Sequence, residues 1–177
     1  MKNLKSQNMK IQKLLILVFF TLFLFSFSED PLFNPSEYEA IIMYRSDLEK
    51  SVVLSDPIEI RRAGKIYYKD QFIFVTMRYK GIHVIDNRDP ENPVNLKFIK
   101  VPGCQDVAIK QSVMYVDNAT DLVAIELSEL PNNIEVMHRV TKAFPNPLPP
   151  DLDYIPERFR SYNRPDNTVI IDWKKAN

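Results

Sequence analysis

The sequence predicts an all-β fold of two or more four-stranded, propeller-like blades, that is, a partial β-propeller. Between residues 58 and 139, short apolar runs rich in Ile, Val, Tyr and Phe alternate with turn-forming residues, a pattern typical of strands. The phrase GIHVIDNRDPENPVNL at 81–96 is matched by DLVAIELSELPNNIEV at 121–136. A period near 40 residues with four strands per unit is the sequence signature of propeller blades.

Residues 1–28 have the composition of an export signal and stand apart from this fold. Four lysines precede the apolar run LLILVFFTLFLF at 14–25, and Ser26 and Ser28 place small residues where a signal peptidase cuts. The run is shorter than the roughly 20 residues that span a bilayer as a helix. The sequence therefore predicts a signal helix cleaved after Ser28, and an uncleaved segment would instead associate the protein with a membrane.

The charge of the remaining 149 residues argues against nucleic acid as a partner. The signal carries four of the 23 basic residues and none of the 23 acidic ones, which leaves 19 basic against 23 acidic side chains. Nucleic-acid binding needs clustered Lys and Arg. A chain of this length suits one domain with a sizeable core. Cys104 is the only cysteine, and we expect it to be a buried, inert thiol.

Residues 29–57 are predicted to cap the first repeat. AIIMY at 40–44 and SVVL at 51–54 are expected to be strands, and a short helix is expected to begin at Ser46, which stands three residues before Glu49 in a capping-box spacing. Residues 58–139 then hold the repeats. Their strands are predicted at 58–62, 65–69, 72–77, 81–86, 95–100, 106–109, 113–118, 122–127 and 134–139.

The repeats correspond strand by strand. Residues 66–68 align with 107–109, and 72–75 with 113–116, at a spacing of 41 residues. At a spacing of 40, Ile82 aligns with Leu122, Ile85 with Ile125, Asp86 with Glu126 and Val94 with Ile134. IHVI and LVAI are apolar at nearly every position, which indicates interior strands buried on both faces.

Residues 140–177 form a Pro-rich tail that ends in a strand. Six of the 13 prolines fall between residues 144 and 166, and proline both fixes φ and removes a backbone donor. The same stretch also carries the apolar side chains of Phe144, Leu148, Tyr154, Ile155, Phe159 and Tyr162, too many for a solvated linker. We expect an ordered extended segment that lies against the domain as a cap, followed by the strand NTVIIDW at 167–173.

The phrases GKIYYKDQFIFV, KGIHVIDNRDPENPV and VIIDW resemble the LVIVD-repeat proteins, exported β-propeller-like proteins of Gram-negative cell envelopes. The resemblance implies a propeller-type fold and a place in the periplasm or at the outer membrane or cell surface, with no inherited catalytic residues. The residues that carry the repeat motif are Gly81, Ile82, His83, Val84, Ile85, Asp86, Pro90, Pro93, Leu122, Ile125 and Glu126.

Two departures from that family bear on these expectations. Many members are lipoproteins with a cysteine directly after the apolar signal, where this chain has SFSED. Members also tend to be longer, and 149 residues at about 40 per blade allow fewer than four blades, whereas a closed ring generally takes four or more.

No catalytic, cofactor-binding or metal-binding residues are predicted. His83 aligns with Val123 in the second repeat, which indicates packing, and His138 has no partner at metal-ligand spacing. The acidic run DNRDPEN at 86–92 is read as a turn rather than a calcium loop because Asp and Asn before Pro are ordinary turn formers. Asp86 and Glu126 are expected to cap the ends of their strands.

The basic and aromatic pair Arg78–Tyr79, in MRYKG, is the candidate partner-binding loop, because loops on a rigid sheet scaffold often carry binding residues. The leading hypothesis is a non-enzymatic envelope protein that binds another protein. The first alternative is a carbohydrate-binding module that uses an exposed row of Tyr79, Tyr154 and Tyr162. The second alternative is a propeller-type hydrolase.

Overall fold

The computed structural model describes residues 36–176, which form three antiparallel sheets, none of them closed. The predicted signal helix and cleavage site lie outside the described residues. In chain order the strands are β1 (Tyr38–Tyr44), β2 (Val53–Ser55), β3 (Ala63–Lys69), β4 (Phe72–Met77), β5 (Gly81–Asp86), β6 (Val94–Lys100), β7 (Val107–Lys110), β8 (Val113–Asn118), β9 (Asp121–Glu126), β10 (Glu135–Val140) and β11 (Thr168–Lys175).

Two of the sheets are meanders in which each strand pairs with the next. The first sheet has the order β2-β6-β5-β4-β3, with β2 added to the free edge of β6. The second has the order β10-β9-β8-β7. The prediction that GIHVID and LVAIEL form interior strands is confirmed, since β5 lies between β4 and β6, and β9 between β8 and β10.

The grouping of the strands differs from the prediction. No strand forms at 58–62; instead the Asn95 side-chain amide donates to the Ile58 carbonyl at 2.9 Å. The strand predicted at 95–100 forms as β6, which pairs with β5 on one side and with β2 on the other. The apolar runs mark where strands lie, whereas their grouping depends on which backbones form hydrogen bonds across the turns.

A single apolar core joins the two meanders. One face of each sheet contributes to it, including Phe74 and Ile99 from the first sheet and Met114 and Ile125 from the second. The edge strands β3 and β7 of the two sheets are neighbours. The Tyr67 hydroxyl of β3 donates to the Ile109 carbonyl of β7 at 3.5 Å. Each sheet therefore has one face in the shared core and one outer face.

A second departure concerns the prediction that β5 and β9 are both buried on their two faces. Residues 81–84 of β5 are buried on both faces, as expected. In β9, buried and partly buried residues alternate, so only one face is fully covered. The partly open face of the second sheet includes Leu122 and Tyr115, and a cleft described below lies there.

A third sheet pairs β1 with β11 and brings the two ends of the described chain together. The one-turn helix α1 (Arg45–Leu48) follows β1 directly, but the predicted capping box is wrong. The residue before the helix is Tyr44, no side chain caps the first turn, and the Arg45 amide donates to the Asn167 carbonyl at 2.7 Å. A tertiary contact thus takes the place of the local cap.

The Pro-rich tail is ordered against the domain. Between residues 141 and 167 it contains turns and one short 3-10 helix, Glu157–Phe159, and no strand. Pro147 and Pro149 are buried. Trp173 donates from Nε1 to the Pro147 carbonyl at 3.0 Å and packs edge-on against Phe159 at 5.3 Å between ring centroids. The tail is thereby tied to β11.

Candidate binding cleft

The Arg78–Tyr79 turn joins β4 to β5, and the chain that follows β6 holds it in place. The Tyr79 amide donates to the Cys104 carbonyl at 2.5 Å, and the Gly103 amide donates to the Tyr79 carbonyl at 3.0 Å. Tyr79 adopts a left-handed φ of 64°. The Arg78 guanidinium lies 4.9 Å from the centroid of the Tyr79 ring and donates to Gln105 Oε1 at 3.2 Å. The Tyr79 backbone is therefore held by the chain that follows β6, and the Arg78 side chain is held by Tyr79 and Gln105.

These two side chains line a cleft of about 900 Å³ on the outer face of the second sheet. This volume lies within the range of small-molecule and peptide sites. The sheet forms its floor and the first residues of the Pro-rich tail form the opposite wall. The lining residues are Arg78, Tyr79, Gln105, Asp106, Val107, Ala108, Tyr115, Asp117, Ala119, Leu122, Phe144, Pro145, Asn146, Pro147, Leu148, Pro149 and Pro150.

Two carboxylates in this lining have opposite pKa shifts. Burial raises the pKa of Asp117, although the amides of Asp106 and Gln105 donate to its oxygens at 2.8–3.0 Å and act against that rise. An ion pair with Lys65 lowers the pKa of Asp106. Both acids are thus engaged in contacts that shape the turn before β7, and they add acceptor groups to a lining that is otherwise mainly apolar.

The predicted row of tyrosines does not form one surface. Tyr79 lines this cleft, Tyr162 lines a second cleft of about 400 Å³, and Tyr154 lines neither. The two clefts share Asn146 and Leu148. Sequence reasoning missed Tyr115 and Phe144, the aromatic residues that do accompany Tyr79. The outward position of Tyr115 between the inward residues Met114 and Val116 of β8 is a period-2 signal that could have identified it.

The repeat-motif residues lie mainly in the core. Ile82, Val84 and Ile125 are fully buried, Gly81 is buried, and Ile85 is partly buried. His83 is also buried, and its ring lies 4.9 Å from the Phe98 ring between centroids. Burial lowers the pKa of His83, and the Asn95 side chain acts in the opposite direction. His138, in contrast, is exposed on β10.

The acidic loop between β5 and β6 consists of turn contacts. Asp86 accepts hydrogen bonds from the Arg88 amide at 3.0 Å and from the Arg88 guanidinium, and these bonds lower the pKa of Asp86. Asp89 accepts from the Glu91 amide at 3.1 Å. Pro90 and Pro93 are exposed in the same loop. In the second sheet, Glu126 plays the corresponding part by accepting from the Ser128 amide at 3.0 Å.

The remaining reactive side chain is Cys104, which is buried in the core and away from solvent. Burial raises the pKa of its thiol well above the ordinary value, and the carboxylates of Asp117 and Asp106 add to the rise. Over residues 36–176, no group of three or more His, Cys, Asp or Glu side chains is arranged to hold a metal ion. No helix in that same range is long and apolar enough to cross a membrane.

Comparisons with known proteins return no relative. No protein-family model matches the chain, and neither a curated protein nor a solved structure is significantly similar to it.

Proposed function

We propose that this chain is a non-enzymatic exported protein of the cell envelope whose propeller-type sheets present a cleft to another protein. The observation that carries the proposal is the position of the Arg78–Tyr79 turn. Sequence reasoning selects this pair as a partner-binding loop, and its side chains lie on one wall of the cleft. Aromatic residues and arginine are the side chains enriched at protein interfaces.

The propeller-type arrangement is supported by backbone conformations that recur at the repeat spacing. Left-handed residues end the first hairpin of each meander at Asp70 and Gln111, and the second at Tyr79 and Ala119. The chain leaving each meander also returns to an equivalent turn. In the first meander the Val101 amide donates to the Lys80 carbonyl at 3.0 Å. In the second meander the Phe144 amide donates to the Thr120 carbonyl at 2.9 Å.

The side chains with reactive chemistry support a binding role rather than an enzymatic one. The Cys104 thiol is buried and its pKa is raised, so the nucleophilic thiolate is disfavoured. Asp117 is held by backbone amides and Asp106 by Lys65, so both carboxylates have structural partners. The cleft therefore offers a shape, aromatic rings and hydrogen-bond acceptors.

The export part of the proposal rests on the basic and apolar lead of residues 1–28. Intact-mass measurement of protein purified from the envelope is expected to give a chain that begins near Glu29. Recovery of the full-length chain in the membrane fraction would contradict cleavage.

A glycan is the second candidate ligand, favoured by the rings of Tyr79, Tyr115 and Phe144 in a cleft that also holds carboxylates. Aromatic faces can stack on the apolar faces of sugars, and carboxylates accept hydrogen bonds from hydroxyl groups. Protein is preferred because the walls are largely apolar and proline-rich.

Photo-crosslinking from within the cleft tests the proposal. The full chain is produced in its envelope with a benzoylphenylalanine at position 79 or, in a second variant, at position 115. The same substitution at Tyr68 is the matched control, because Tyr68 is an exposed tyrosine on β3 that does not line the cleft. We expect one protein to be captured from positions 79 and 115 and not from 68.

Binding of the purified partner then provides the quantitative test. Arg78→Ala and Tyr115→Ala should each weaken its Kd about tenfold or more, as is usual for buried interface anchors, and Tyr68→Ala should leave Kd unchanged. Equal Kd values for all three variants would refute the cleft as the protein site. Binding of envelope oligosaccharides that is lost in Tyr115→Ala, without any captured protein, would establish the glycan instead.

A further inference from the structure

The second cleft, of about 400 Å³, lies within the Pro-rich tail and has its own chemistry. Leu148, Ile155 and Phe159 supply apolar surface, while Arg160, Tyr162 and Arg164 supply polar groups. After the 3-10 helix Glu157–Phe159, the chain continues along this cleft. The Arg164 amide donates to the Arg160 carbonyl at 3.2 Å and so forms a turn. The cleft thus brings two guanidinium groups beside an apolar wall.

The two arginines differ in their partners. Arg160 pairs with Glu157 at 3.2 Å, and the Tyr162 hydroxyl donates to the same carboxylate at 2.5 Å, so the acid of this segment is already engaged. Arg164 makes no ion pair with any described residue. Its Nε and Nη1 atoms are buried without a hydrogen-bond acceptor in residues 36–176. Arg164 as a whole is partly buried, and donor atoms that are buried without an acceptor carry a desolvation cost.

The chemistry around Arg164 specifies the kind of ligand that would offset this cost. Burial lowers the pKa of Arg164, but an arginine stays charged at neutral pH, so the missing group is an anion. Oδ1 of Asn146, in the same lining, is also buried without a donor in the described chain. A ligand that satisfies both side chains has a carboxylate, an N–H or O–H group beside it and an apolar body.

We infer that the second cleft binds the C-terminal end of a polypeptide whose last side chain is apolar. The terminal carboxylate would accept from Arg164, the last backbone N–H would donate to Asn146, and the side chain would lie against Ile155 and Phe159. Carboxylate recognition by a guanidinium fork is geometrically specific, and capture of chain termini is a known mode of peptide recognition. This inference is independent of the partner proposed for the larger cleft.

N-acetyl-leucine is the probe for the test, because it has the carboxylate, the adjacent N–H and an apolar side chain. The full chain is titrated with it by heteronuclear NMR, and the amide of the same compound serves as the uncharged comparison. We expect saturable shifts at residues 146–164, and an affinity for the amide that is at least about tenfold weaker. Equal binding of acid and amide, or no saturable shift, would overturn the inference.

Arg164→Met removes the charge and keeps the length of the apolar stem, and Arg158→Gln is the control because Arg158 belongs to the same segment but does not line the cleft. Arg164→Met should lose binding about tenfold or more, and Arg158→Gln should not. Thermal unfolding without ligand separates a binding role from a structural one. The Tm of Arg164→Met should equal or exceed that of the parent, and a clearly lower Tm would show that Arg164 serves the fold instead.

If free uronic acids bind as tightly as N-acetyl-leucine, the carboxylate is recognised but the polypeptide assignment is wrong. Preference for N-acetyl-leucine over N-acetyl-aspartate, both of which carry a carboxylate and an N–H, would confirm that the apolar wall selects the last side chain.

Discussion

At the scale of single residues, the structure places Gly81 where two segments of the chain touch. Its φ is 149°, and a Cβ there would collide with the backbone carbonyl of Ile99 on β6. The same residue begins the phrase GIHVID, where sequence reasoning singles it out as part of the repeat motif. The glycine therefore serves both a backbone conformation and the close approach of β5 to the chain that leaves β6.

Gly81→Ala should destabilise the protein by about 3 kcal/mol, because backbone strain and a steric overlap in a buried site each cost roughly 1–3 kcal/mol. The free energy of unfolding from urea denaturation is the measurement. Lys100→Ala is the control, since Lys100 is the exposed cross-strand partner of Gly81, and it should change stability by less than about 0.5 kcal/mol. Equal stability of the two variants would contradict the steric argument.

His83 is a second residue whose burial should affect stability measurably. It is buried against Val75 and Phe98. Burial lowers its pKa from 6.5, so the folded state binds fewer protons than the unfolded state at mildly acidic pH. Stability that depends on His83 is complete above the unfolded pKa near 6.5 and is lost as the pH falls below it.

Unfolding measured at pH 7.5 and pH 5.5 should therefore show a loss of stability with a slope of at most about 1.4 kcal/mol per pH unit. His83→Val, which introduces the residue found at the equivalent position of β9, should remove most of this pH dependence. His138→Gln, at an exposed position on β10, should keep it. A pH dependence that survives in His83→Val would assign the effect to other groups.

At the scale of elements, a buried ion network connects parts of the chain that the sequence keeps far apart. Asp121 opens β9 and is fully buried. It accepts from Arg45 at 2.6 Å, from Arg139 at 2.9 Å and from the Lys142 amide at 3.0 Å. Burial acts to raise the pKa of Asp121, but these hydrogen bonds outweigh it and the pKa is lowered. The network fastens α1 and the start of the tail to the second meander.

Asp121→Asn should cost about 3 kcal/mol of stability, because removing one partner leaves buried charges uncompensated. Asp70→Asn is the matched control. Asp70 pairs with Lys69 on the surface, so this substitution should change the free energy of unfolding only slightly. Chemical denaturation at pH 7 compares the two. In the parent, the contribution of Asp121 should also disappear as the pH falls through its lowered pKa, below the ordinary value of 3.8. A loss below about 1 kcal/mol in Asp121→Asn would show that the network is not an anchor.

At the scale of the whole molecule, the tail runs from the second meander across the outer face of the second sheet. The Phe144 amide at the start of the tail donates to the carbonyl of Thr120, in the turn between β8 and β9. The prolines that follow face the outer side of the second sheet across the cleft. Proline cannot complete a strand ladder, so the tail covers apolar surface without offering another edge. The tail is ordered against the domain, as expected, and its role as a structural cap stays a prediction.

Removal of residues 144–177 should therefore give an aggregating or unfolded product, because it deletes β11 and Trp173 and uncovers the outer face of the second sheet. Size-exclusion chromatography and thermal unfolding test this. Trp173→Phe, which keeps an aromatic ring but loses the indole N–H that donates to the Pro147 carbonyl, should remain a folded monomer with a modestly lower Tm. A soluble truncated monomer with the parent's Tm would show that the tail is dispensable.

The strands themselves were predictable because their signals are local. Alternating and continuous apolar runs with turn formers between them located β3–β11 to within a few residues, and the basic and aromatic pair at 78–79 identified one wall of the cleft. Only the tertiary structure decided that β2 pairs with β6, why Ser46 caps nothing, and that Tyr115, Phe144 and the tail complete the site. Those features depend on hydrogen bonds and contacts between segments up to a hundred residues or more apart, and such pairings leave no mark in the local order of residues.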